Sequence, residues 1–167
     1  TGHFTYYGDN KNPGENLLSK LGNKELARIF NLLHNANSHH EIPPIFVFKK
    51  KLTNKSSRSV QFLGIAVPGS MKLRGTEDLT SIWKSNRGQR FQNFKAIFTI
   101  LNIPHISRRE IENLTLGKSF LHENEVWSSW IQKKKYIPLS AEPTRSIRTP
   151  EEQEPITSAE EVILKTV

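Results

Sequence analysis

From Arg90 to Asn102 the chain carries a run in which neither side of an extended strand is polar. Phe94, Ala96, Phe98 and Ile100 fall on one face, and Ile97, Thr99 and Leu101 on the other. A strand with apolar side chains in both directions cannot lie at a solvated edge, so it needs strand partners beside it and cover above and below. Pro104 closes the run. The rest of the chain has to supply that surrounding structure.

Suitable partners are visible. Ile45 to Leu52 and Ser59 to Val67 read as two strands of a hairpin, rich in Ile, Val and Phe, joined by the polar and basic connector 53–58. Leu79 to Lys84 reads as a short strand before the turn residues Asn86-Arg87-Gly88, and Phe4-Thr5-Tyr6 as another at the start. Cover comes from helices. Leu26, Ile29, Phe30 and Leu33 recur at helical spacing after Gly22-Asn23, which sets an expected start near Asn23. Ser107-Arg108-Arg109-Glu110 fits a capping box opening a helix to Leu116, with Gly117 beyond its end. Asn124 to Lys134 reads as a further helix with Trp127 and Trp130 on one face, both expected to serve packing. Met71 to Gly75 is expected to turn.

The composition changes after Ser140. Residues 140–155 are rich in Pro and charge and poor in apolar side chains, as in a linker, and Thr157 to Lys165 offers caps for a final helical turn. We therefore expect a domain over 1–139 and a linker with the start of a following helix over 140–167. The chain opens on Thr1 without an initiating Met, so it reads as part of a longer protein.

Charge divides the same way. The net charge is +8, but residues 1–140 hold 21 Lys and Arg against 10 Asp and Glu (+11), and residues 141–167 hold 3 against 6 (−3). A positive field on the folded part favours phosphate backbones or other anionic surfaces. The absence of cysteine excludes disulfides and thiolate metal sites, and no apolar run is long enough to span a membrane. His34, His39 and His40 lie close in sequence without a metal-site spacing and are expected to be solvated loop residues. Asp9-Asn10-Lys11 and Gln132-Lys133-Lys134 match fragments of nuclease motifs but lack acidic partners on an adjoining strand.

The stretch with most chemistry is Tyr6 to Gly14. Two tyrosines at the end of a strand run into a loop carrying Asp9, Asn10, Lys11 and Asn12, which brings flat π-faces, hydrogen-bonding groups and a cation together. Those are the parts that hold an extruded nucleobase. Further on, Arg87 and Arg90 stand beside Gln89, Gln92 and Asn93, side chains suited to phosphate and base-edge contacts. Lys49, Lys50, Lys51, Lys55 and Arg58 flank the hairpin, where a lysine run also serves to keep a sheet edge from aggregating.

Phe4-Thr5-Tyr6-Tyr7-Gly8, a polar loop, and Asn23-Lys24-Glu25-Leu26-Ala27 at a helix start resemble the signature of SRA (SET- and RING-associated) domains. With Pro43 to Phe48, Phe62 to Gly69 and Arg90 to Phe94, the first 105 or so residues look more like the SRA-like readers of modification-dependent restriction endonucleases of the AspBHI type. That resemblance implies an α+β, SRA/PUA-like fold: a curved, mostly antiparallel sheet or open barrel with flanking helices. It implies recognition of 5-methylcytosine or 5-hydroxymethylcytosine in duplex DNA by base flipping, as the specificity module of a type IV or modification-dependent restriction enzyme. Tyr6 matches the family position that stacks on the flipped base. Tyr7 stands where many members carry a base-contacting Thr. The family's pocket carboxylate lies upstream of this strand, so it belongs to a preceding segment or Asp9 replaces it; a turn-forming role is the other reading of Asp9. Asn10, Lys11 and Asn12 match the loop that fills the vacated stack, an ordinary connector being the other reading, and Arg87, Arg90, Gln92 and Asn93 are expected at the DNA.

The chain itself is expected to be non-catalytic and to need no cofactor. Mg²⁺ and cleavage would belong to a nuclease elsewhere in a bacterial cytoplasmic parent, which can also supply homo-oligomeric contacts. The alternative is a stand-alone PUA- or EVE-like module that reads another modified base with no nuclease attached.

Overall fold

The computed structural model describes residues 2–35, 37–50 and 59–140. The hairpin cations Lys51, Lys55 and Arg58, the end at Leu52 of the strand expected from Ile45, and the linker and terminal helix expected over 141–167 lie outside the described residues.

The run that needed partners has them. Strand β5, Gln89–Leu101, pairs antiparallel with β1 (His3–Tyr7), β3 (Val60–Pro68) and β4 (Leu79–Asn86), and β2 (Ile45–Lys50) extends the sheet from β3. The sheet is five-stranded, open and wholly antiparallel in its strand pairs, with β1 and β2 at its two ends. β4 begins where expected but continues two residues past Lys84, so β4 and β5 meet in a two-residue turn at Arg87-Gly88. Both turn residues are left-handed (φ 49° and 79°), the geometry whose twist suits a tight hairpin. Because β1 pairs no further along β5 than Lys95, the outer half of this hairpin projects as a two-stranded ribbon.

Helix α1, Leu21–His34, lays its stripe of Leu26, Ile29, Phe30 and Leu33 on the sheet. Phe98 is the centre of that contact. Its ring stacks on Phe4 (5.4 Å between centroids) and meets Phe30 edge-on (5.5 Å). Truncating a buried phenylalanine of this kind costs about 3–5 kcal/mol, so F98A would loosen helix and sheet together.

Helix α1 starts earlier than the sequence suggests, and the reason is tertiary. Lys20 provides no side-chain cap; instead Asp9 reaches back, its Oδ2 accepting from Gly22 N–H (2.9 Å) and its Oδ1 from Asn23 N–H (3.0 Å). Gly22-Asn23, which reads as an interruption, is the place where an earlier loop packs onto the helix. A Cβ on Gly22 would lie 2.8 Å from the Asp9 carboxyl carbon, and one on Gly8 would run into Asn23 Oδ1 and sit 2.5 Å from Asn93 Oδ1. Both glycines are set by close approach.

Helices α2 (Arg108–Thr115) and α3 (Glu125–Lys133) follow the sheet, and α3 packs beside the short 3-10 turn His39–Glu41 that comes after α1. Ser107 caps α2 by accepting from Glu110 N–H, but only half of the expected box forms: the buried Glu110 carboxylate turns inward and accepts from Leu121 N–H at 2.8 Å. Asn124 caps α3, whose Trp127 and Trp130 are buried beside Phe120. Residues 137–139 return to the sheet, with Asn102 N–H donating to Ile137 O and Leu139 N–H to Ile100 O.

Two of the three histidines expected to be solvated loop residues make fixed contacts, although His34, the last residue of α1, stays exposed. His34 Nε2 lies 3.0 Å from the buried Asp78 carboxylate, and His39 lies 3.0 Å from Leu33 O with its ring against Trp130; His40 is exposed. Nearby, Tyr136 donates to Pro68 O (2.9 Å), and burial pushes its hydroxyl pKa up to about 12.

Candidate nucleic-acid interface

Strand β1 delivers its two tyrosines to opposite faces. Tyr6 pairs with Ala96 and Tyr7 with Lys95, and side chains alternate along a strand. Each ring is a little under half exposed, and each opens onto its own cleft.

Tyr6 meets Phe98 edge-on (centroids 6.4 Å apart) and lines a cleft of about 470 Å³ between β1, α1 and β2. Phe46, Phe48, Leu26 and Ile29 make its walls apolar, and Glu25 is the one carboxylate on its rim. Hydrogen bonds from Arg28 (2.6 and 2.9 Å) hold Glu25 below the usual carboxylate range, the largest effect being the hydrogen bonding itself. This cleft therefore combines a stacking ring with an ionised acceptor.

Tyr7 faces a cleft of about 440 Å³ of different character, lined by Lys11, Lys84, Asn86, Phe91 and Asn93. Lys84 Nζ lies 3.6 Å from the Tyr7 ring centroid, a cation–π contact. Lys95 stands opposite Tyr7 on the same face. None of the ion pairs among the described residues engages Lys11, Lys84, Arg87, Arg90 or Lys95. These cations keep their charge available to an anion.

The loop after Tyr7 is more built than its sequence suggests. Asp9 spends both carboxylate oxygens on the start of α1. Asn10 is fully buried: its Nδ2 donates to Gln92 O (2.9 Å), where a strand would have placed a backbone N–H, and its Oδ1 accepts from Asn12 N–H. Asn12 Nδ2 donates to Glu15, whose carboxylate also receives Lys20, first among the causes that hold it below its ordinary range. Lys11 alone of the three expected groove residues is exposed with no such tie.

The hairpin splits as well. Arg87 at its tip and Arg90 are exposed, whereas Asn93 is buried and donates to Gly8 O at 2.8 Å. Gln92 is half-buried, and its carbonyl holds Asn10. Asp9, Asn10 and Asn93 thus position the loop, and Tyr6, Tyr7, Lys11, Arg87 and Arg90 face outward. Sequence reasoning passed over Trp83 and Lys84. Both lie inside the strand expected over Leu79 to Lys84, where alternation alone puts them on opposite faces.

The family profile described as restriction endonuclease AspBHI N-terminal matches residues 1–142. This chain belongs to that family. Among solved structures, the AspBHI-type fold recurs in the "DNA recognition domain of the cytosine modification-dependent restriction endonuclease LpnPI", which is 45% identical with a TM-score of 0.73 over 86% of this chain. It recurs also in the "DNA modification-dependent restriction endonuclease AspBHI", 41% identical with a TM-score of 0.74 over 85% of this chain. The matches cover 65% of each of those chains, so this AspBHI-type chain spans just under two thirds of their length. A comparison with curated proteins found no match. The α+β sheet fold expected from the sequence resemblance is the one observed.

Proposed function

We propose that this chain is the DNA-reading module of a cytosine modification-dependent restriction enzyme and recognises 5-methylcytosine or 5-hydroxymethylcytosine extruded from duplex DNA. The observation that carries the reading is the exposed Tyr6 ring at the mouth of a hollow with room for a pyrimidine, on the strand beside a projecting cationic hairpin. Base–aromatic stacking contributes about 1–3 kcal/mol, enough for one ring to decide affinity. The apolar wall formed by Phe46 and Phe48 suits a 5-substituent, and the ionised Glu25 takes the part of acceptor for the cytosine amine. Asp9, the sequence candidate for that part, is tied to the start of α1 and does not line this cleft.

Lys11, Arg87, Arg90 and the Tyr7 cleft then hold the phosphate backbone, a contact that fixes register without reading sequence. Kinship with the LpnPI and AspBHI domains supports the same assignment. Cleavage, its Mg²⁺ and any oligomeric contact belong to the remainder of a cytoplasmic parent enzyme. Among the described residues no helix is long and apolar enough to cross a membrane.

The test is a titration of labelled duplexes that differ only in one cytosine, unmodified, 5-methylated or 5-hydroxymethylated, across a salt series. Tighter binding of a modified duplex, lost in Y6A and reduced in E25Q, is expected. Equal affinity for all three duplexes at every salt concentration overturns the proposal.

A further inference from the structure

Trp83 is 57% exposed on the projecting half of the β4–β5 hairpin, while Trp127 and Trp130, the other tryptophans, are buried. The core gains little from an indole placed there, and tryptophan and arginine are residue types enriched at contact surfaces. The ring is also held. Register puts Trp83 opposite Gln92 and Ser85 opposite Arg90, so Trp83 and Arg90 share a face as diagonal neighbours, with the guanidinium carbon 5.0 Å from the ring centroid. A flat ring oriented by a cation, flanked by Arg87 and Arg90 with no acidic partner among the described residues, is suited to an anionic partner that itself presents flat faces.

We propose that Trp83 is a stacking wedge: its indole takes the face of a nucleobase in bound DNA, with Arg90 fixing the ring and directing charge to the adjoining phosphate. The inference rests on the DNA-reading function above but concerns a contact separate from both tyrosine clefts. Every base has a π-face, so the wedge adds affinity without discriminating between cytosine and its modified forms. Discrimination stays with the clefts.

The full chain, W83A and W83F are titrated with modified and unmodified duplexes, following anisotropy of the DNA and acrylamide quenching of tryptophan emission. In the wild type, DNA should shield or quench the one acrylamide-accessible indole, and that response should vanish in W83F. W83A should weaken both duplexes by about 5- to 150-fold, the range that base stacking spans, with the ratio between them unchanged. W83F, which keeps an aromatic face, should recover most of the loss. A DNA response that persists in W83F, or W83A binding within twofold of wild type, overturns the wedge while leaving the reader intact. A wild-type chain that binds neither duplex overturns both. The quenching readout uses the wild type and W83F, so it decides the question even if W83A folds poorly.

Discussion

Asp9 caps a helix to which it does not belong: its two carboxylate oxygens take the N–H groups of Gly22 and Asn23, 13 and 14 residues away along the chain. Loop and helix are thereby one unit, and the tyrosine strand feeds directly into it.

D9A should lower unfolding free energy by about 0.5–2 kcal/mol, the usual cost of losing such a cap, and D9N should recover much of it because asparagine also caps well. Urea unfolding measures this. If Asp9 instead reads the base, D9N would leave stability untouched and abolish preference for modified duplexes.

G8A should be more damaging than its size suggests. The added methyl enters the space of Asn23 Oδ1 and Asn93 Oδ1, and overpacking of this kind costs about 1–3 kcal/mol. Thermal melting should show the loss even without DNA. A wild-type melting temperature would mean that the loop shifts freely, contrary to its bonding.

Tyr7 and Lys84 should be coupled. A double-mutant cycle in Y7A, K84A and the pair is expected to give about 0.5–1 kcal/mol of interaction in the free protein. Adding phosphate-bearing duplex should shrink the coupling as Lys84 turns to the DNA. No coupling in the free state would remove the contact from consideration.

Arg87 occupies a left-handed turn position that costs an L side chain roughly 1–2 kcal/mol, and asparagine tolerates the position better. R87N should therefore stabilise the domain slightly. It should also reduce the slope of log affinity against log salt by about 0.9, one phosphate contact, for modified and unmodified duplexes alike. An unchanged slope would place Arg87 away from the backbone.

Stability should fall at alkaline pH through Tyr136. Burial raises its pKa from the usual 10 to about 12 in the folded state, so its stabilising contribution is complete below pH 10 and is lost as pH climbs through 12. Y136F should be less stable near neutrality, because Pro68 O loses its donor, and should lose less stability than wild type between pH 10 and 12. Parallel curves for the two proteins would contradict this.

The sheet and its central strand were legible in the sequence because burial on two faces leaves a plain apolar pattern, as at Phe98 and Leu101. Helix α3 was legible through Trp127 and Trp130, and α2 through Ser107. What the sequence hid were long-range ties made by polar side chains. Asn10 reads as a loop residue free to reach a groove, yet it substitutes for a strand's backbone donor against Gln92. Glu110 reads as half of a capping box and instead holds Leu121. His39 reads as solvated, but it packs on Trp130. Nothing in local spacing distinguishes an amide or carboxylate that faces water from one that meets a distant backbone group. Trp83 was hidden differently: it lay inside the expected strand, but alternation does not say that its face is left uncovered.

Adjacent in sequence, Tyr6 and Tyr7 look into separate compartments, with the thickness of one β-strand between them. A point substitution at either can retune one compartment and spare the other, whereas a single-residue insertion or deletion upstream in β1 would exchange them at a stroke. Variation in this strand is thus free in side chain and frozen in length.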